Sequence, residues 1–474
     1  MTHSAVRQTL PLLIIFSIIA TTPAVAARAA SPSKQTQRCE QPYKKNTLTA
    51  AALREALHAH QEWLEQRDSP GHRRADFCGT DLKQAALEGA NLERARMESA
   101  SLRQANLRQS ILTQASLAGA DLTKANLEDS NLVGADLRRA RLNQANLLRV
   151  VGDEAALYNA ALSGAQLHDS IFERAHFEDA DLSSADFTNA TLVDSYLYGA
   201  NLRGAVLTGA DLMGADLRKT DLSKATMFQT NLQGALLDGA RLNQARMMEA
   251  DLESAYLDDA DLRQSDLRDA ILRGADLRHA NMDGARLAQA DLEGANLEGA
   301  RLSKASLQSA KLRMIILYKA VIDQADFRDA NLHHAVMIGA RGAGAIFSQS
   351  ALHEIYAPKA SLPRAQFNDA TLDSANLVAA DLSEADFSRA NLTHANLQEA
   401  TLRGAVFTGA DLSGARLDAA NIQQAKFYGA NLVSVTGLTQ TQLDTACLDN
   451  QTQLPAELSR PAPCTVTTKK ASHR

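Results

Sequence analysis

The chain has 474 residues, of which 45% are hydrophobic but only 4% aromatic, with a single tryptophan. This apolar content excludes a disordered chain, and the scarcity of aromatic residues excludes an ordinary aromatic-rich core. The formal net charge of −6 provides no electrostatic basis for binding nucleic acid. We therefore expect a core that is built from alanine and leucine.

The first 26 residues are typical of a secretory signal peptide. Residues 1–9 carry one fixed positive charge, at Arg7, and residues 10–20 form an apolar run. Small residues follow, and the Ala24-Val25-Ala26 sequence predicts cleavage after Ala26. The apolar run is short for a hydrocarbon core of ~30 Å, although a retained membrane anchor is the alternative. We expect a periplasmic or secreted protein with no stable membrane span after signal removal.

Residues 27–74 are predicted to form a linker and a helix. Thr49 is a good N-cap, and Leu48 and Leu53 occupy the positions of a hydrophobic staple. The helix is expected to run to about Gln66 with Leu53 and Leu57 on one apolar face.

The four cysteines agree with export, because an even number in an exported chain is typical of disulfide bonds. They lie towards the two ends of the chain. We favour the pairing Cys39–Cys78 and Cys447–Cys464, which closes loops outside or at the edge of the central region. Four unpaired thiols are the alternative.

Residues 75–434 repeat with a period of five. Small residues occupy positions ending in 0 or 5, and large apolar residues occupy every fifth position from 77 to 432, which is 72 pentads. Since five is a multiple of neither the helical nor the strand period, each pentad must combine a short extended piece with a corner. The small and large residues then point inwards and the other three positions face water. Glycine is frequent at the last of these, where a corner requires an unusual backbone angle.

Phenylalanine indicates how many pentads form one coil. It recurs every 20 residues from Phe327 to Phe427. Four pentads per coil would stack these six rings in one column. The prediction is an all-β solenoid, a quadrilateral β-helix of about 18 coils and ~86 Å in length.

The tandem Ala-[Asp/Asn]-Leu-x-x motif, as in residues 120–129, resembles the pentapeptide-repeat family. This resemblance implies a right-handed quadrilateral β-helix. The flanks are also similar to those of bacterial members, with His60 and Trp63 before the repeat and Gly437 to Leu443 after it.

Both ends of such a solenoid expose strand edges, so we expect short helical caps. The first cap is the helix before residue 75. The second lies in residues 435–474, where Thr439 and Gln442 form a capping-box motif and the remaining tail is predicted to be disordered.

A few positions depart from the repeat. Val150 with Gly152 and Ile355 with Ala357 exchange the large and small residues, which conserves volume. Gly342 has no such compensation, so its coil should be underpacked. Pro358 and Pro363 follow one coil later and each removes a backbone donor. Residues 340–365 are therefore the predicted kink or loop, with neutral drift as the alternative.

One outward face collects most of the tyrosines of the repeat together with aliphatic residues, which is typical of an interaction surface. A face that simply has a high strand propensity is the alternative. We call this set the tyrosine face; it comprises Tyr158, Tyr196, Tyr198, Leu236, Tyr256, Ile316, Tyr318, Val336 and Tyr356.

The sequence contains no motif of an enzyme or of a cofactor site. His333-His334 is the only adjacent histidine pair, and a solvated surface is a simpler interpretation of it than a metal site. We expect a non-catalytic scaffold or protein-binding rod, with a protein partner or self-association and no nucleic acid.

The alternative is a DNA-mimicking modulator of topoisomerases such as gyrase, which the family resemblance suggests. Residues 75–434 hold 35 basic and 47 acidic residues. The resulting net charge corresponds to about one charge per ~7 Å of rod, against one per ~1.7 Å in duplex DNA. The charge density along the rod would therefore be about fourfold lower than that of the DNA it would imitate.

Overall fold

The computed structural model describes residues 48–66 and 73–462. The predicted signal peptide, Cys39, Cys464 and most of the tail lie outside the described residues. The described chain contains helix α1, Ala50–Glu65, then a long series of single-residue parallel β-bridges, and then helix α2, Gln440–Leu443.

The bridges have one register throughout the repeat. Each joins residues 20 positions apart, from Asp76 with Arg96 to Asp411 with Asn431. Each coil therefore contains four pentads, as the phenylalanine spacing predicts. Residues at positions ending in 0, 2, 5 or 7 are buried almost throughout, and the other three positions of each pentad are mostly half-buried or exposed.

The backbone hydrogen bonds explain the pentad. The N–H of Leu82 donates to the carbonyl of Ser101 in the next coil, at 2.8 Å, and the N–H of Ala85 closes the turn onto the carbonyl of Leu82, at 3.0 Å. The N–H of Lys83 instead donates to the side-chain Oδ1 of Asp81, at 3.1 Å. An aspartate or asparagine before the large residue thus satisfies a turn N–H that the backbone ladder does not use.

The corner of each pentad has a left-handed conformation, as the frequent glycines indicate. Gly119 has a φ of 68°, but Gln114 adopts 55° in the preceding corner, and residues other than glycine occupy most of these corners. The inter-coil ladder therefore holds L-residues in a region that usually disfavours them.

The predicted phenylalanine column is confirmed. Neighbouring rings from Phe327 to Phe427 lie 4.8–5.0 Å apart between centroids and within 6° of parallel. Isolated aromatic pairs prefer offset or edge-to-face arrangements. The parallel stack follows from the coil rise, which places equivalent residues about 4.8 Å apart.

The predicted underpacking at Gly342 is wrong. A Cβ atom at this position would lie 2.6 Å from Cγ1 of Ile322 and 2.9 Å from Cδ2 of Leu362. These side chains come from the coils before and after it in the same column, and they fill the space that a large residue would have occupied. The adjacent coils therefore compensate for the missing side chain.

The predicted kink or loop in residues 340–365 is also wrong. Parallel bridges continue through this segment without a change of register, from Arg341 with Ser361 to Tyr356 with Asn376. Pro358 and Pro363 stand at the one pentad position whose N–H takes no part in the backbone ladder. Their carbonyls still accept hydrogen bonds, at 3.1 Å from the N–H of Gly339 and 2.9 Å from that of Gly344.

Helix α1 lies against the start of the repeat. Thr49 caps it by accepting a hydrogen bond from the N–H of Ala52, at 3.2 Å, and Leu53 joins the hydrophobic core. His60 is buried and its Nδ1 accepts from the N–H of Ala75, at 3.1 Å. Burial lowers the pKa of His60, which keeps this nitrogen available as an acceptor.

Helix α2 lies against the end of the repeat. Thr439 and Gln442 form the predicted capping box. The side-chain amide of Gln442 also donates to the carbonyls of Leu417 and Ala420, at 3.2 and 2.9 Å. Beyond α2, Cys447 pairs with Lys426 and extends the ladder.

Candidate protein-binding face

Every residue of the tyrosine face is half-buried or exposed, and none belongs to the core. Tyr196, Tyr198, Tyr256 and Tyr356 are the most open, with 37–40% of their surface accessible. The residues occupy two adjacent columns of one side of the coil, which are the bridge position and the turn position two residues later. The structure divides them along the rod into three groups.

The first group is a stack of three aromatic rings. The sequence analysis identified the two tyrosines of this stack but missed the histidine between them. His176 lies between Tyr158 and Tyr196, with ring centroids 4.9 and 4.7 Å apart and interplanar angles of 21° and 10°. Its Nδ1 is 3.1 Å from Oε1 of Glu178. His176 is one coil before Tyr196 in the same column, so the 20-residue register contained the signal.

Burial raises the pKa of Tyr158 to about 12, and the nearby carboxylate of Glu178 adds to the shift. Tyr198 lies on the same side, with the cationic groups of Arg218 and Lys219 5.9 and 5.5 Å from its ring centroid. The first group is therefore an aromatic surface that cations border.

The second group is small. Leu236 and Tyr256 are bridged neighbours. Ion pairs border them on both sides along the rod, Arg218 with Asp216 and Arg278 with Asp276, each with a closest N···O distance of 2.6 Å. These pairs interrupt the apolar surface, so the tyrosine face is not one continuous strip.

The third group is the largest continuous patch. Ile316, Val336 and Tyr356 follow one another through consecutive bridges. Beside them runs the turn-position column. The sequence analysis counted aliphatic residues only in the bridge-position column, so it missed three apolar residues of the turn-position column. The complete group, which we call the apolar patch, is Ile316, Tyr318, Val336, Ile338, Tyr356, Pro358 and Val378.

The backbone ladder sets the geometry of the apolar patch. The N–H of Met337 donates to the carbonyl of Tyr356 at 2.8 Å, and the N–H of Lys359 to that of Val378 at 2.9 Å. Neighbouring residues of one column are therefore one strand spacing apart, about 4.8 Å. At one edge, the ammonium group of Lys319 lies 4.7 Å from the ring centroid of Tyr318. The patch is thus a rigid apolar centre with a charged margin.

Other sequence-predicted features lie away from this face. Cys78 and Cys447 stand at opposite ends of the coil stack, so they cannot bond to each other. The pairings with Cys39 and Cys464 stay a prediction, because those residues lie outside the described ranges. Neither α1 nor α2 has the length and apolar character needed to cross a membrane.

Comparison with protein families gives one clear match. The model for pentapeptide repeats matches residues 73–317, 325–355 and 359–432 in overlapping segments. Among curated proteins, none is significantly similar to this chain.

Solved structures of pentapeptide repeat proteins resemble the chain. HetL of the cyanobacterium Nostoc sp. strain PCC 7120, which is involved in heterocyst differentiation regulation, is 33% identical, with 52% of this chain and 91% of HetL covered and a TM-score of 0.23. QnrB1, a plasmid-mediated fluoroquinolone resistance protein, is 20% identical, with 45% and 90% covered and a TM-score of 0.18. A protein of the Arabidopsis thaliana thylakoid lumen is 29% identical, with 27% and 79% covered and a TM-score of 0.11.

The family model spans more than half of the chain, and the register of its β-bridges is that of a solenoid with four pentads per coil. The chain belongs to the pentapeptide repeat family and folds as a β-helix with four pentads per coil.

Proposed function

We propose that this protein is an exported, non-catalytic rod of about 18 coils that binds a protein through its tyrosine face, either a partner or a second copy. The observation that carries the proposal is the apolar patch. It places Ile316, Val336 and Tyr356 on consecutive coils of a rigid ladder, with their side chains outside the core.

Two properties of the patch favour binding over mere strand propensity. Its members occupy turn positions as well as bridge positions, and Ile338 and Pro358 at turn positions gain nothing from a preference for strands. The cations beside Tyr318 and Tyr198 also give each aromatic group a charged margin. An apolar aromatic centre inside a polar rim is the usual arrangement of a protein interface.

The ends of the rod support a role as an independent scaffold. We propose that α1 and α2 are caps, since each contributes a buried leucine, Leu53 and Leu443, and donates or accepts hydrogen bonds at the terminal coils. Covered edges prevent association through the strand ends. Association would then be confined to the sides of the rod, where the tyrosine face lies.

The arrangement of charge opposes the alternative of a DNA-mimicking gyrase modulator. Along the tyrosine face, Asp136, Asp216 and Asp276 each pair with an arginine two residues later, at 2.6 Å. These pairs neutralise carboxylates that a phosphate mimic needs to expose. An absence of any effect in a gyrase supercoiling assay at high protein concentration would remove this alternative.

The binding face can be tested by photo-crosslinking in cells. A benzophenone amino acid in place of Tyr356 should produce a specific crosslinked protein, whereas the same group in place of Tyr428, on another face, should not. The changes Tyr318→Ser and Val336→Ser should then abolish the crosslink at position 356. Equal crosslinking from both faces, or a crosslink that survives both changes, would contradict the assignment.

Export and disulfide pairing can be tested by intact mass. The periplasmic or secreted protein should lack residues 1–26 and gain four hydrogens on reduction, and peptide mapping should recover Cys39 with Cys78 and Cys447 with Cys464. A full-length cytosolic protein that already carries four thiols would refute the export proposal. Topoisomerase binding would then be the favoured function.

A further inference from the structure

A group of histidines lies on the side of the coil next to the apolar patch. His353 follows His333 by one coil in the same column, and His334 stands beside them. The ring centroid of His353 is 5.5 Å from that of His333 and 6.0 Å from that of His334, and the centroids of His333 and His334 are 6.4 Å apart. The fold therefore adds a third imidazole to the histidine pair of the sequence.

A carboxylate joins these imidazoles. Oε1 of Glu354 is 3.1 Å from Nε2 of His353, and Oε2 is 3.3 Å from Nδ1 of His334. Nδ1 of His353 forms a hydrogen bond with Asp373 on the next coil. One side of the coil stack thus presents three imidazoles and two carboxylates in three stacked corners on consecutive coils.

We propose that His333, His334, His353 and Glu354 bind one late first-row divalent metal ion such as Zn²⁺. Imidazole nitrogens and carboxylate oxygens are the ligands that zinc takes at 2.0–2.2 Å, and three histidines with one carboxylate complete a tetrahedron.

The side chains must turn to form this site, because among the described residues no three of these ligand atoms lie within 4.8 Å of one another. Ligand atoms on a tetrahedral zinc ion are roughly 3.3 Å apart and its imidazole centroids roughly 5 Å apart, given bond lengths near 2.0–2.1 Å. The carboxylate–imidazole separations of 3.1 and 3.3 Å match the first value. The centroid separations of 5.5–6.4 Å are slightly longer than the second. Because these side chains are half-buried or exposed, they can turn towards a common centre.

Asp373 takes the role of a positioning residue. When Asp373 accepts a hydrogen bond from Nδ1 of His353, the ring takes the tautomer whose Nε2 carries a lone pair for a metal ion. A carboxylate behind a ligating histidine is a common support of zinc sites and raises metal affinity.

The backbone holds the Cα positions of the ligands in advance, so that only their side chains must turn. His334 and Glu354 occupy equivalent left-handed corners on consecutive coils, with φ of 59° and 53°. The N–H of His334 donates to the carbonyl of His353, at 3.1 Å. Arg313, one coil before His333 in the same column, pairs with Glu293 at 3.8 Å and also acts electrostatically on His333. Preorganisation of this kind lowers the cost of assembling a site.

A second group could compete for metal. Asp258, Asp259 and His279 bring one ligand atom each within 4.8 Å of one another. It has a single imidazole, which already contacts Asp258 at 2.9 Å, and the guanidinium of Arg278 lies 3.9 Å from that same carboxylate. We therefore use this group as the matched control.

The test is calorimetric titration of the purified, untagged protein with ZnCl₂, with CoCl₂ absorption spectra as a readout of coordination. We expect one Zn²⁺ per chain and tetrahedral Co²⁺ bands. The double change His333→Asn with His353→Asn should weaken binding by at least tenfold and remove the bands. Asp373→Asn should weaken binding about tenfold while the bands persist.

His279→Asn should leave the affinity unchanged, and circular dichroism should show that each variant keeps the fold. No uptake of Zn²⁺ by the unmodified protein, uptake that survives the double change, or loss only in His279→Asn would each overturn the proposal. The binding role of the tyrosine face would stand in all three cases, because its crosslinking test involves neither metal nor these residues.

Discussion

Two coils of this β-helix have a glycine at the inward position that a large residue normally occupies, and neighbouring side chains fill the two spaces differently. At Gly152, a Cβ atom would lie 2.2 Å from Cε1 of Phe172, so an aromatic ring from the following coil occupies the space. At Gly342, aliphatic side chains from both neighbouring coils, Ile322 and Leu362, share it. The ladder hydrogen bond of each glycine N–H is intact, at 2.7 and 2.8 Å.

This comparison shows that inward side chains pack as columns of equivalent residues from successive coils, and that a single coil does not pack by itself. An interior at crystal-like density leaves little empty space. A gap in one coil is therefore closed by a larger or branched residue 20 positions away. The three atoms nearest to the missing side chain at Gly152 all belong to Phe172, whose ring also contacts Phe177 edge-to-face at 5.4 Å. At Gly342, the nearest atoms belong to Ile322 and Leu362.

Removal of the Phe172 ring is expected to cause the largest decrease in the free energy of unfolding. Phe172→Ala should lower the free energy of unfolding by about 5 kcal/mol, because the new cavity joins the space above Gly152. Leu362→Ala should cost about 3 kcal/mol, since Ile322 still covers Gly342. Urea denaturation followed by circular dichroism measures both. Equal losses would mean that the two coils pack alike.

Adding a methyl group should reveal the same asymmetry at a smaller scale. Gly152→Ala pushes a Cβ atom into a rigid ring and should cost about 2 kcal/mol, whereas the flexible side chains around Gly342 should make Gly342→Ala cheaper, at about 1 kcal/mol. Both glycines have φ outside the left-handed region, so the cost is steric.

A double-mutant cycle sharpens this result. Phe172→Leu should recover part of the loss from Gly152→Ala, because the smaller side chain leaves room for the methyl group. The same denaturation experiment measures the coupling. Additive effects of the two changes would show that Phe172 does not fill the space at Gly152.

The smallest effect is expected at the proline of the apolar patch. Pro358→Ala should change the free energy of unfolding by less than about 0.5 kcal/mol, since the ladder makes no use of an N–H at this position. Hydrogen exchange of the amides of Gly339 and Lys359 provides a local check. Faster exchange of these amides in Pro358→Ala than in the unmodified protein would show that the proline ring stabilises the local backbone.

The candidate surface was only partly predictable from sequence. Register modulo 20 identified the column that holds Tyr196 and Tyr356, because a solenoid converts sequence spacing directly into spatial neighbourhood. It did not identify His176, Ile338 or His353 as members of surface groups. These residues are recognised as members of surface groups only through their contacts with neighbouring side chains, and a search for one residue type overlooks such contacts.

The amino-acid pattern alone predicts the period of five, the inward small and large positions, the four pentads of each coil and the phenylalanine stack. These follow from local repetition, since every coil repeats the same hydrogen bonds. Only the tertiary structure decided how Gly342 is packed, why Pro358 is tolerated, where the tyrosine face divides and that His353 joins His334. Those outcomes depend on contacts between coils, because each side chain packs against the equivalent side chains of the coils before and after it.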